Sequence, residues 1–253
     1  MTPFEEILLA YGLILTRTSA LILAAPILGF GTGFAGYKIG LTIVLSILLF
    51  TVVQPAVGEV GTFAYGAMMV REALIGVFLG FLLHLAMLAI HVSGELVGHE
   101  MGFMIARQTD PISGTQTSLI TSVYENLFVL SLLALNGHHW LIASLGRSFD
   151  HAPVGELGLG PELMPTVVDM FGQMFTAGII FAAPVMVFLF VVSVLIGLLA
   201  RVVPTLNMLE IGFSVRVLIS LLAMFAFAPL LEPAMGELHQ GFSDWLEQGL
   251  EAL

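Results

Sequence analysis

The sequence predicts an all-α membrane protein of about six hydrophobic helical segments, some of them kinked or broken. Three observations carry that reading. First, 58% of the 253 residues are hydrophobic. Second, the hydrophobic residues gather in long runs, at about 7–29, 39–53, 63–90, 117–145, 166–200 and 206–231. A helix needs roughly 20 mostly apolar residues to cross the bilayer core, and most of the runs reach that length. Third, the runs contain charge: Arg17, Arg71, Glu72, His84, Glu125, Asp169, Glu210 and Arg216 lie inside them or at their edges. Charge facing lipid is expensive, so such residues are expected to face protein or a water-filled cavity. The chain therefore reads as one that buries itself against partners.

Composition narrows the classes further. The formal net charge is −11 with seven basic residues, which excludes nucleic acid as a partner. Glu232, Glu237, Asp244, Glu247 and Glu251 argue against docking of the C-terminal stretch on anionic lipid. There is no cysteine, so disulfides, thiolate metal sites and cysteine nucleophiles are excluded. The longest polar stretches, about 91–116 and 146–165, are too short for a soluble core, so residues 1–253 are expected to form a single membrane domain. Residues 1–6 are acidic where a signal peptide is basic, and the first run is expected to stay in the mature protein.

Taken in order, run 1 carries Arg17, passes Pro26 and ends in the glycine-rich Gly29–Gly36 segment. Those glycines predict a turn. No Gly-Lys-Ser/Thr closes them, so a phosphate loop is not expected. Run 2 reaches only about 22 Å as a helix, short of a ~30 Å core. Run 3 contains Arg71-Glu72 and the pair Gly76 and Gly80. Beyond it, Gly94, Gly98 and Gly102 repeat every four residues. On a helix they form a smooth strip for close packing, with a hinge as the alternative. His91, Glu95 and His99 share another face, with His84 one heptad earlier. A wet packing face is preferred there to a metal site or proton relay, because no other segment supplies ligands. Run 4 contains Asn136-Gly-His-His-Trp140, read as a helix-end turn with an interfacial tryptophan. Run 5 would reach about 52 Å, with Pro184 as a kink. At run 6, Glu210 and Arg216 are read as pinning subunits together in preference to lining an ion path.

The basic residues set an orientation. Lys38, Arg107 and Arg201 fall in one set of alternate loops, with Arg216 near a run end, and Arg147 falls in the other. The first set is expected in the cytoplasm and both termini outside. No nucleophile elbow, HExxH, Walker or GxGxxG motif stands in a usable context. Neither a catalytic residue nor a metal or other cofactor is expected.

Five segments go further: Arg17 to Gly29, Gly94 to Gly102, Asp110-Pro111, Asn136 to Leu141, and Arg201 to Val217. In order and spacing they resemble the FliR family of flagellar type III export-apparatus proteins and, less closely, its injectisome relative SctT. The resemblance implies a non-enzymatic, multi-pass subunit of the export gate in the bacterial inner membrane, at the flagellar basal body. It implies FliP and FliQ as neighbours, FlhB wrapped around them, an FlhA-like protein in the same apparatus, and unfolded flagellar proteins as the cargo. It implies a FliP-like part at about 1–165, joined to a FliQ-like helical hairpin at about 166–253, as one subunit of a helical ring.

The resemblance also assigns residues. Ile105, Ala106, Arg107, Gln108, Thr109, Asp110, Pro111, Ile112, Ser113, Gly114 and Thr115 match the family's plug loop. Their own chemistry agrees with such a role: Asp110-Pro111 and Gly114 break a helix. Non-helical backbone at membrane depth is tolerated only where protein or water satisfies it. Apolar Phe103, Met104, Ile105 and Ile112 are suited to seal against neighbours. Arg201, Pro204, Asn207, Gly212 and Phe213 match the family's cytoplasmic-side hairpin near FlhB. Thr205 stands where the family often has glutamine, and Ser214 where proline is common. Two other readings compete: an injectisome gate subunit, and a proton-coupled transporter or channel. The second would call for related halves, and the halves of this chain do not match.

Overall fold

The computed structural model describes residues 3–26, 36–53, 58, 60–102, 118–158, 160–202 and 208–253. Among them every regular element is helical. The helices are α1 Pro3–Ala24, α2 Gly36–Val53, α3 Thr62–Glu100, α4 Leu119–Ala134, α5 Gly137–His151, α6 Leu163–Val202 and α7 Met208–Glu251. Five have the length and apolarity to cross a membrane, and α4 with α5 make a sixth candidate if that bent pair counts as one span. This is an all-α membrane protein.

Three boundaries differ from the hydrophobic runs, each for a physical reason. Run 4 is two helices bent by 68°. Asn136 sits in the left-handed region at φ 59°, which asparagine tolerates better than most residues. Gly137 follows, and a side chain there would collide with Leu132. α3 continues ten residues beyond run 3, from His91 to Glu100, because helix does not stop where hydropathy does. α7 likewise runs on to Glu251 as an amphipathic helix. Phe242, Trp245, Leu246 and Leu250 are buried, while Asp244, Glu247 and Glu251 are exposed. Pro184 lies within α6, which is assigned as helix throughout. α2 has 18 residues, about 27 Å of helix.

The chain divides into two compact units. The first comprises Met1–Ala86, Leu132–Phe171 and Gln240–Leu253. Its core gathers Ile14, Leu21, Ile22, Leu49, Ile75, Leu79, Leu145, Phe149 and Leu250. α1 and α3 meet through small residues. A side chain at Gly80 would lie 2.6 Å from the Ala24 Cβ, and one at Gly76 would run into the Arg17 carbonyl. Such close approach is what glycine and alanine allow between membrane helices.

Beside this seam lies a buried charge cluster. Arg17 Nε donates to Glu72 Oε2 at 2.6 Å. Its Nη1 donates to the Ser148 carbonyl at 2.9 Å and its Nη2 to the Ala152 carbonyl at 2.8 Å. Its guanidinium carbon stands 4.1 Å from the centre of the Phe149 ring. Arg71 donates to Glu72 Oε1 at 3.2 Å and to the carbonyls of Pro153 and Gly158 at 2.9 and 2.6 Å. Arg17 and Glu72 are 0% exposed. Arg17 thus satisfies carbonyls at the C-terminal end of α5, where a cation is favoured by the helix dipole. The charges in the runs do not all share this burial. His84 and Asp169 are exposed, facing away from this chain's own core.

The second unit comprises Met87–Ser131 and Gly172–His239. Ala89, Ile90, Val97, Tyr124, Phe128, Phe181 and Leu189 are buried in it. The Ser93 hydroxyl lies 2.7 Å from the carbonyls of both Ala89 and Gly178, at the point where Gly178 admits the Ala89 backbone. Much of α6 and α7 stays uncovered, including Ile180, Val187, Phe190, Leu195, Leu218, Leu222 and Phe225.

Breaking a buried ion pair strands a charge, at a cost of about 3–5 kcal/mol. Arg17→Met and Glu72→Met are each expected to destabilise the chain by that amount. The double variant is expected to lose less than the sum of the two. Denaturant unfolding of the detergent-solubilised chain in a double-mutant cycle measures this; additive losses would contradict it.

Candidate functional site

A densely built polar site of the second unit lies where α3 ends and α4 begins. Gly94 and Gly98 let the start of α4 lie against α3. A side chain at Gly94 would stand 2.5 Å from the Thr121 Cα, and one at Gly98 2.5 Å from the Ser118 Oγ. Gly102 follows α3 at φ 86°, a conformation suited to glycine, and its N–H donates to the His99 carbonyl at 3.1 Å. The third glycine of the strip therefore ends the helix, while the first two pack it.

Ser118 caps α4. Its Oγ accepts from the Thr121 N–H at 3.1 Å, the usual reach of an N-cap serine. The Glu95 carboxylate, carried on α3, takes two further donors. Its Oε1 accepts from the Ser118 N–H at 3.0 Å and from the Thr121 hydroxyl at 2.9 Å. One turn away, His91 Nδ1 lies 2.7 Å from Glu125 Oε1, across the same pair of helices. Arg216 on α7 stands 4.0 Å from Glu100 Oε2 and donates to Ser193 on α6.

The histidine and glutamate face of α3 is thus divided among separate partners. His91 meets Glu125, Glu95 meets Ser118 and Thr121, and His99 lies 3.9 Å from Glu100. Among the described residues, no three histidine, aspartate or glutamate side chains converge as metal ligands. The rings of His138 and His139, in the first turn of α5, have centres 4.2 Å apart and are tilted by 56°.

Residues Ile105–Thr115, proposed from sequence as a plug, lie outside the described residues, as do Pro204 and Asn207 of the hairpin segment. Arg201 is exposed near the end of α6. Gly212 lies near the start of α7, where an added Cβ would be 3.6 Å from Ile196. Phe213 lies in the same helix. Ser118 and Thr121 carried no sequence signal beyond a Ser/Thr-rich stretch, because Thr121 stands where a capping box would have Glu or Gln. His239 was also missed. It is buried, stacked on Phe128 at 5.0 Å, with Nδ1 2.6 Å from the Met235 carbonyl and Nε2 3.3 Å from the Ser131 hydroxyl.

This arrangement positions backbone: its carboxylate and hydroxyls are engaged with the start of α4. Gly98 stands against Ser118, so the start of α4 is fixed against the last turns of α3.

Residues 8–241 match the model of the family described as bacterial export proteins, family 1. Among similar proteins is the flagellar biosynthetic protein FliR of Escherichia coli (strain K12), 31% identical, with 87% of this chain and 84% of the relative covered. The protein of the same name from Bacillus subtilis (strain 168) is 28% identical over 88% of each chain. That of Caulobacter vibrioides is 24% identical over 83% of this chain and 84% of the relative.

Gly98→Leu is expected to push α4 off α3 and to cost at least about 1–3 kcal/mol by overpacking. Gly172→Leu, whose added side chain meets open space, is expected to fold normally. Thermal unfolding of the two purified variants in detergent compares them directly. Equal stability would mean that the strip is not a close-packed seam.

Proposed function

This chain belongs to the FliR family of bacterial export proteins, and from that membership we propose that it is a structural subunit of the flagellar type III export gate. It is a multi-pass membrane component of the flagellar export apparatus. In the finer reading, it lines a protein-conducting channel in the bacterial inner membrane together with FliP and FliQ. FlhB and an FlhA-like protein stand beside that channel in the basal body, and unfolded flagellar proteins pass through it. Residues of about 1–165 take the FliP-like role, and about 166–253 the FliQ-like hairpin.

The match of residues 8–241 to the export family is the observation that carries this reading. The uncovered apolar faces of α6 and α7 support it, because a lone subunit leaves exposed what an assembly would bury. The relatives described above are flagellar, which favours the flagellar gate over an injectisome gate. We assign Ile105–Thr115 as the segment that closes the channel at rest, and Arg201–Phe213 as the part turned toward FlhB.

The orientation proposed is both termini on the periplasmic side. The N–H of Gly160 donates to the Leu253 carbonyl at 2.9 Å, which supports a common level for the α5–α6 connection and the end of α7. Two crossings, α6 and α7, separate those points. Alkaline phosphatase fused after Leu253 is expected to be active; activity from a cytoplasmic reporter at that site would reverse the orientation.

Loss of the chain is expected to stop secretion of hook and filament proteins, with recovery on complementation. Normal secretion without it would end the proposal. Removing Ala106–Gly114 is expected to leave co-purification with FliP and FliQ intact while making the membrane leaky to small solutes. An assembled deletion variant that stays tight would remove the plug assignment and leave the subunit assignment standing.

A further inference from the structure

We infer a lipid site on the first unit: a groove between the end of α2 and α5 that seats the headgroup end of phosphatidylethanolamine. The inference rests on described residues of that unit alone and does not depend on the export-gate reading.

The groove has a volume of about 560 Å³, within the range of small-molecule sites. Leu49, Val52 and Val53 line it from α2, Phe149 lines it from α5, and Pro153 and Val154 line it from the turn that follows. Gly146 lines it without a side chain, and among the described residues an added Cβ there would meet nothing within 4 Å. The described residues therefore leave this space unfilled.

α2 sets the level of the groove. Its 18 residues make about 27 Å of helix, close to the ~30 Å thickness of a hydrocarbon core. The last turn of α2 is then near the depth of the headgroups, and the groove lies beside that turn. Only 17% of the apolar window of α2 is buried within this chain. Val44, Leu48 and Val52 are exposed and recur every four residues, so they share one side of the helix. Val52 belongs both to this stripe and to the groove. An acyl chain lying along the stripe brings its own headgroup to the groove, which a water-soluble ligand does not do.

The charges at the groove select the headgroup. Arg147 and Asp150, both exposed, line it and stand three residues apart on α5, hence on one side of that helix. Glu247 on α7 lies 3.6 Å from Arg147, an exposed pair and therefore a weak one. One cation thus faces two carboxylates. A guanidinium is suited to a phosphate, and a carboxylate to an ammonium. Phosphatidylethanolamine supplies both groups with no net charge, and its ammonium carries three N–H donors. Phosphatidylglycerol brings a net negative charge and no ammonium. In phosphatidylcholine the ammonium is methylated and has no N–H to donate.

The full chain, purified in mild detergent and stripped of lipid, is titrated with these three phospholipids bearing identical acyl chains. Native mass spectrometry counts the lipid retained. One phosphatidylethanolamine per chain is expected to be held in preference to the other two. Gly146→Leu, which fills the groove, is expected to weaken its retention by about tenfold or more. Asp150→Asn is expected to remove the preference over phosphatidylglycerol while lipid is still retained, and Arg147→Gln to weaken retention of all three. If Gly146→Leu does not fold, Ala143→Trp fills the same groove from an exposed position and carries the same test. Undiminished retention in the filled groove would overturn the site. A groove-dependent lipid held without headgroup preference would overturn the assignment to phosphatidylethanolamine. The same lipid is expected in the chain co-purified with FliP and FliQ; its loss there would give the groove to a neighbouring subunit and overturn the lipid site.

Discussion

The first unit depends on one constraint: three charged side chains are buried together, and each must be satisfied there. Arg17 and Glu72 are wholly enclosed and Arg71 nearly so. In such surroundings an unpaired charge costs several kcal/mol, and two arginines against one glutamate leave a positive excess. The chain meets that excess with backbone. Four carbonyls, from Ser148, Ala152, Pro153 and Gly158, accept from the two guanidinium groups. Glu156 adds a more distant, exposed carboxylate at 3.7 Å from Arg71. The cluster therefore specifies more than a pairing of α1 with α3. It dictates where the end of α5 and the following turn must lie, because no other placement brings those carbonyls to the guanidinium forks. Arginine is suited to this task, since its planar group presents five donors in fixed directions.

The class of this protein was legible from hydropathy alone, and its family from short segments in order and spacing. The charge cluster was half legible. Arg17, Arg71 and Glu72 stood out as charges in apolar runs, and burial was the expected consequence. Their partners were not readable, because four of them are main-chain carbonyls, which every residue possesses. Helix ends were the least legible feature. α3 and α7 outrun their hydrophobic runs, since helical hydrogen bonding continues wherever one face stays packed. The break at Asn136 was visible as an Asn-Gly pair and read as a helix-end turn, and the structure ends α4 just before it and starts α5 just after.

The site at the start of α4 shows the same division in smaller form. Glycine spacing marked the strip, because small residues at a four-residue period fall along one side of a helix and open it to a neighbour's backbone. The spacing could not say what the strip faces. The structure places two of its glycines against Ser118 and Thr121 of the same chain, and uses the third to close α3. Glu95 was grouped with His91 and His99 by helical period, yet the three serve different partners. Period reports a shared face; it does not report what stands opposite at each turn. Glu95 falls opposite a helix N-terminus, His91 opposite Glu125, and His99 beside Glu100.

A membrane-spanning chain has to reconcile two demands. Its helices must offer apolar surface to lipid or to neighbouring subunits, and any backbone that leaves the helix must still be satisfied. In this chain the two demands fall on different features. α6 and α7 carry much of the exposed apolar surface, with no ionisable residue on α6 between Asp169 and Arg201. The ends of α3 and α4 carry the satisfied polar groups: a left-handed glycine at one end, and a serine cap reinforced by a carboxylate at the other. Each of these helix ends is therefore closed by groups of this chain's own helices, and the apolar faces are left to meet the first demand alone.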